Sequence, residues 1–523
     1  MAHDGPLRAT THRPSWRDQP ATGRPTSSEQ PATTRPTWRE QAAAARPTPG
    51  RPAPEQVDEQ PPPTAPPAAP GTTNDTLTLL AGAVLVAAVL GFVAGGVLWR
   101  SEMFAGLIVA PVLILLTLPL AKAARAAVPS FDAGALIMLA LGAKLIGVQA
   151  RYYVIEGVYN GVGDSTGYDG WGRRLAPQFL DLDFTVEIGR PLLGTGFLRY
   201  LSGLVYAVVG SHQFAAFLVF GFFAFLGLYL IFRALCLAVP EADHQRYGLL
   251  LFLWPSLIFW PASVGKESWM LLCIGIVAYG VARLLVVRPG AFLLIGLGMG
   301  GIVLVRPHIA ILLGGAIVPA YFLRRGRGAI SLGPVTKVIG LLVLVAGFSL
   351  VAAQAERFFG FEDLTASSVG DALDRTESQT TTGGSAYEPV VVRNPLQYPW
   401  AVVTVLIRPF PTEASNGQML FTSLEGFALI LLIGLSLVRV GSIRSLMRER
   451  PYLVFALFYV AMFCFAFAAM GNFGILARQR VQVLPFLFVL LVLPSASKRQ
   501  RAREPVPRYR TINDRSVGSD RSR

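Results

Sequence analysis

Apolar runs of about 20 residues recur along this chain, and they constrain its fold more than any other feature. A helix needs about 20 such residues to cross the ~30 Å hydrocarbon core of a bilayer. The runs fall near residues 77–99, 103–121, 132–155, 213–237, 247–264, 267–287, 290–306, 308–324, 335–354, 421–440, 452–471 and 479–495. In lipid every backbone N–H and C=O must be satisfied internally, which leaves helices or closed barrels. A barrel would show segments of about ten residues with alternating polarity, and the chain lacks them. The expected fold is therefore an all-α polytopic membrane protein with about twelve spans. Composition agrees: 15% of residues are charged, against roughly 25% in soluble domains.

The formal net charge of +14 does not point to nucleic acid. The positive residues lie mostly in the two tails and in short loops between apolar runs, which is the pattern of membrane topology. The three cysteines, Cys236, Cys273 and Cys464, all fall within apolar segments. They read as small core residues, without metal spacing or a disulfide framework.

Three regions follow. Residues 1–73 are rich in Pro, Thr, Arg, Gln and Ala, with Arg-Pro recurring every eleven residues at Arg13, Arg24, Arg35 and Arg46. Such a segment has too little apolar surface to offset its ordering entropy, so a disordered cytoplasmic tail is expected. Residues 74–496 form the transmembrane region, and 497–523 a basic cytoplasmic tail. With both termini inside, the cytoplasmic loops of a plasma (inner) membrane protein collect Lys122 and Arg125, Arg233 and Arg246, Arg283 and Arg288, Arg324–Arg327 and Arg439–Arg450. This works only if residues 192–210, with Arg199 near their centre, lie in the outer interface. The outer side then owns two long loops, 156–212 and 355–420.

Sorted by side, the outer face gathers Asp164, Asp169, Lys266, Glu267, Arg306, His308, Arg408, Glu413, Arg478 and Arg480. Ionisable groups at membrane depth are costly and tend to be paired or functional. For each cation alone, the alternative is an interfacial anchor with a snorkelling side chain. A whole set of cations at outer helix ends runs against positive-inside statistics, and an acidic substrate such as a lipid phosphate accounts for it. Arg forks match phosphate oxygens and Lys supplies a point charge. A carboxylate beside such a site can deprotonate an acceptor hydroxyl while an anionic leaving group departs. Asp164 lies in Gly161-Val-Gly-Asp-Ser-Thr-Gly-Tyr168, with no basic residue within four positions and Tyr168 on its face if the segment is helical. Asp169 has Arg173 at helical spacing, which favours an ion pair. Glu267 adjoins Lys266, and His308 after Arg306-Pro307 suits a local helix start.

The order of these features resembles the GT-C superfamily of membrane glycosyltransferases, which includes the protein mannosyltransferases and the bacterial aminoarabinose transferases. Gly163-Asp164-Ser-Thr-Gly-Tyr168 matches the acidic residue of that superfamily's first large outer loop. Leu192–Gly210 matches its interfacial helix, and Trp254-Pro255 through Lys266-Glu267 its Pro- and aromatic-ended span. The resemblance covers roughly residues 130–325. It departs at the usual Asp-Glu pair, because Ser165 follows Asp164, so a second acidic role falls to Asp169 or Glu267. The resemblance implies transfer of a sugar from a polyprenyl-phosphate donor to a glycan, lipid or protein acceptor of the cell envelope. Asp164 is then the general base, with Asp169 and Glu267 as further catalytic candidates. Tyr168, Lys266, Arg306, His308, Arg408, Arg478 and Arg480 are the candidates for binding substrate and phosphate. No nucleotide-sugar fingerprint is evident, which suits a lipid-linked donor with no cofactor and no metal. The alternatives are a polysaccharide polymerase or ligase, which should depend mainly on Arg408–Arg480, and a lipid or solute transporter.

Overall fold

The structure is a computed structural model that describes residues 72–324, 366–381, 384–437 and 440–494, with the single positions 338, 342 and 349. The expected span at 335–354 and most of both expected tails lie outside the described residues. All that follows belongs to one compact unit, Ala69–Arg523.

The described residues form helices and no strand. In order these are α1 (Thr72–Leu98), α2 (Gly106–Ala127), α3 (Ala133–Tyr153), α4 (Asp164–Leu180), α5 (Phe197–Val209) and α6 (Gln213–Ala238). Next come α7 (His244–Leu253), α8 (Pro255–Phe259), α9 (Lys266–Leu285), α10 (Ala291–Val303) and α11 (Pro307–Phe322). The later part holds α12 (Ala366–Thr380), α13 (Tyr398–Leu406), α14 (Gly417–Leu437), α15 (Val440–Glu449), α16 (Pro451–Phe467), α17 (Phe473–Arg480) and α18 (Leu484–Leu491). Among the described residues, seven helical segments are long and apolar enough to cross a membrane, or eight if α17 and α18, bent by 58°, make one span.

Several expected spans are therefore not single long helices. The run at 247–264 breaks at Trp254, which is extended (φ −67°, ψ 124°) before Pro255, as the residue before a proline prefers. The runs at 290–306 and 308–324 become α10 and α11, of 13 and 16 residues. At ~1.5 Å per residue these are about 20 and 24 Å long, shorter than the bilayer core. The segment Leu192–Val209 passes on length and apolarity, yet Leu193 (φ −67°, ψ 141°) and Gly194 (φ 77°, ψ −118°) are not helical. Its continuous helix is the 13-residue α5, which packs on α4, with Gly203 against Phe179.

Burial separates the centre from the rim. In α3, α6 and α9 about three quarters of the apolar window is buried within the protein (72%, 78% and 72%), against 17% in α1 and 28% in α2. The rim helices expose rows of Leu, Ile and Val, as lipid-facing helices do. At the centre α6 and α9 touch backbone to backbone. A Cβ on Gly275 would collide with the Gly227 carbonyl oxygen, and one on Gly227 with that of Leu271. Small residues permit this close approach, which is the main source of helix association in lipid.

The short α8 is held at both ends by buried charged side chains. The Glu425 carboxylate of α14 accepts from the Ser256 N–H (2.6 Å) and from its hydroxyl. The Lys144 ammonium of α3 donates to the carbonyls of Leu257 (2.6 Å) and Ile258 (3.1 Å). The carboxylate at the helix start and the ammonium at its end complement the helix dipole and satisfy groups that the two ends of α8 leave open. Lys144 thus acts locally, fixing the segment that leads to Trp260.

Candidate functional site

Five chain segments at helix ends meet around a polar cavity of about 210 Å³. The end of α3 brings Arg151, and the start of α4 brings Asp164 and Tyr168. The stretch from α8 to α9 brings Trp260, Lys266 and Glu267, while Arg306 precedes α11 and Arg478 lies on α17. Gly163 and Gly265 stand before α4 and α9 without a side-chain cap, and α11 opens on Pro307, also uncapped. Uncapped N-terminal turns leave N–H groups and a partial positive charge, a favourable setting for an anion.

Within the cavity the charges are only partly matched. Arg306 pairs with Glu267 at 3.2 Å and donates to the Gln479 side chain at 2.7 Å. Arg478 approaches Asp164 at a loose 3.6 Å, and the Asp164 side chain is 80% exposed. Arg151 and Lys266 make no ion pair among the described residues. Arg151 and Arg478 both lie over the Trp260 indole, at 5.0 and 5.6 Å from its centroid, and Arg151 also lies 5.0 Å from the Phe259 ring. Burial, and after it the nearby Asp164 carboxylate, pushes the Tyr168 hydroxyl up to about 12. It therefore stays protonated and able to donate.

A second cavity, of about 620 Å³, shares Trp260 of its wall with the first. Its walls are almost wholly apolar, from Val84 of α1, Leu139 and Ile146 of α3, Ile258 of α8 and Phe421 of α14. Polar and apolar compartments thus share one aromatic wall, with the Arg151 guanidinium stacked on it.

Of the ten residues singled out in sequence, six line the polar cavity: Asp164, Tyr168, Lys266, Glu267, Arg306 and Arg478. The other four lie elsewhere. Asp169 accepts from Arg173 Nε at 3.0–3.1 Å and from the Tyr206 hydroxyl, so it ties α4 to α5. Arg408 is bound by the Glu413 carboxylate at 2.5–3.2 Å and lies over the rings of Tyr387 and Phe473, at 4.7 and 5.1 Å. Arg480, fully enclosed, donates from Nε to the Val405 carbonyl (2.8 Å) and from a terminal nitrogen to that of Arg408. His308 lies in the first turn of α11 near Phe467, outside the cavity wall.

Sequence reasoning passed over Arg151 and Trp260. Arg151 sits inside an apolar run near the end assigned to the outer side, so the positive-inside argument that flagged Lys266 applies to it as well. Trp260 was visible only as part of an aromatic, Pro-flanked stretch. Compared with known proteins, the chain matches no family model, no curated protein and no solved structure.

Proposed function

We propose that the chain is a membrane glycosyltransferase that moves a sugar from a polyprenyl-phosphate donor to a cell-envelope acceptor. It would work on the outer side of the plasma membrane, with both termini cytoplasmic and the GT-C-like arrangement of about twelve crossings completed by the shorter helices. The observation that carries this proposal is the adjacency of two compartments on either side of Trp260: a small polar cavity rich in cations with two carboxylates, and a larger apolar one. A ligand with an anionic head and a long apolar chain fits both.

In this mechanism the exposed Asp164 carboxylate takes the proton of an acceptor hydroxyl as its oxygen attacks the anomeric carbon. The bond from that carbon to the phosphate oxygen breaks, and polyprenyl phosphate leaves with the electron pair. One displacement inverts the anomeric configuration. The phosphate gains negative charge as it leaves, so cations that bind it better late than early lower the barrier. Lys266, Arg306 and Arg478 are placed for this, with Glu267 orienting Arg306 and Tyr168 donating to a sugar or phosphate oxygen. A polymerase working mainly through Arg408 and Arg480 is less well served, because protein acceptors already engage both.

The test is sugar transfer from a panel of radiolabelled polyprenyl-phosphate sugars by the purified chain and by Asp164→Asn. Transfer by the native chain that is lost in a folded variant supports the proposal. Failure of the native chain to consume any such donor rejects it.

A further inference from the structure

Among the described residues of the polar cavity, Arg151 occupies a position that the fold does not explain. Its side chain is 92% buried, being 8% exposed, yet its Nε has no hydrogen-bond partner and it makes no ion pair among the described residues. Its contacts are two aromatic faces, Phe259 and Trp260, which attract the cation but offer its N–H groups no carboxylate or carbonyl acceptor. Desolvating a charge is costly unless it is paired and hydrogen-bonded, so the fold alone does not justify it. Lys144, two turns earlier on the same helix, shows the contrast, since its ammonium is engaged by two carbonyls.

The guanidinium also occupies a particular place. It forms part of the polar cavity wall, and the rings it covers, with its neighbour Ala150, belong to the wall of the apolar cavity. We infer that Arg151 receives the phosphate of a single long-chain lipid phosphate at the seam between the two cavities, with the chain lying in the apolar one. This rests on the transferase proposal for its setting and adds the residue and the seam that anchor the donor. An Arg fork donates two N–H groups to one phosphate, and the rings on its face keep it oriented without using those donors.

The full chain, purified in maltoside micelles that carry no phosphate, would be titrated with undecaprenyl phosphate, undecaprenol or inorganic phosphate and followed by native mass spectrometry. Arg151→Gln should weaken undecaprenyl phosphate at least tenfold and leave undecaprenol unchanged. Ala143→Phe, which narrows the apolar cavity, should weaken undecaprenyl phosphate and leave inorganic phosphate unchanged. Arg151→Gln should also melt about 2–4 °C higher than the native chain, because it removes a buried charge that has no ion pair among the described residues. A purely structural arginine would give a lower melting temperature. Should the Gln variant fail to fold, Arg151→Lys keeps the charge but not the fork, and an intermediate loss of affinity is expected. Native-like affinity for undecaprenyl phosphate in either folded variant overturns the inference, as does equally tight binding of inorganic phosphate by the native chain. The two proposals fail separately. Arg151-dependent lipid-phosphate binding without sugar transfer retains this inference and rejects the transferase. Transfer and binding indifferent to Arg151→Gln do the reverse.

Discussion

Around Asp164, four cations share a cavity with two carboxylates, and two of the cations have no ion-pair partner among the described residues. Around Glu413, two arginines of the same apparent promise are engaged by a carboxylate, two backbone carbonyls and aromatic faces. Both clusters draw on helix ends, and both looked alike as outer cations in an apolar sequence. The difference is one of unused capacity. A guanidinium whose donors are taken holds the fold together, whereas one left unmatched is available to a ligand and destabilises the empty protein.

That contrast predicts opposite responses to substitution. Asp164→Asn should lower transfer by about 10²–10⁴-fold, the range for loss of a general base, with unchanged thermal stability. Asp169→Asn should retain most transfer and lose stability instead. If transfer is lost in the Asp169 variant and kept in the Asp164 variant, the two carboxylates have been assigned the wrong way round.

Arg480→Met should cost about 2–3 kcal/mol of stability, because it strands buried carbonyls that accepted from a charged donor. The folded fraction should keep near-native turnover, measured as transfer per folded molecule. A loss of turnover with normal melting would move Arg480 into the site and narrow the contrast between the clusters.

Glu267→Gln weakens the hold on Arg306 and should raise the donor KM about tenfold, the worth of a partner interaction near 1.4 kcal/mol, with a smaller effect on kcat. A kcat loss as large as that of Asp164→Asn would make Glu267 the base.

The smallest effect concerns Glu413. Burial pushes its carboxyl up, but hydrogen bonds from Arg408 and the Phe410 N–H outweigh this and hold it below its ordinary value of 4.5. Its stabilising contribution is therefore fully present above that value and is lost as pH falls through the lowered one. Glu413→Gln should cost less than about 1 kcal/mol, as solvent-screened pairs do, and the difference in melting temperature from the native chain should shrink in acid. A pH-independent difference would mean that the charge of Glu413 contributes little.

Much of this contrast was legible before any coordinates. The spacing of Asp169 and Arg173 announced a helical pair, and the pair is there. Asp164, Lys266, Glu267, Arg306 and Arg478 were grouped by helix end and side, and all five line one cavity. The occupation of Arg480 was hidden, because its acceptors, the Val405 and Arg408 carbonyls, lie 75 and 72 residues away in the chain, and the Tyr387–Phe473 ring stack that Arg408 covers forms only in the fold. Arg151 escaped notice because an apolar run absorbs one arginine with little change in its hydropathy.

The sequence by itself determined that the chain is helical and rich in segments apolar enough for a membrane, where most of its long apolar helices lie, and that charged residues gather at helix ends. These follow from hydropathy and helix length, which are local properties. Only the tertiary structure decided which runs break, as at Trp254-Pro255, and which cations remain unmatched. A hydrogen-bond partner dozens or hundreds of residues away is chosen by packing, and no window of sequence contains that choice.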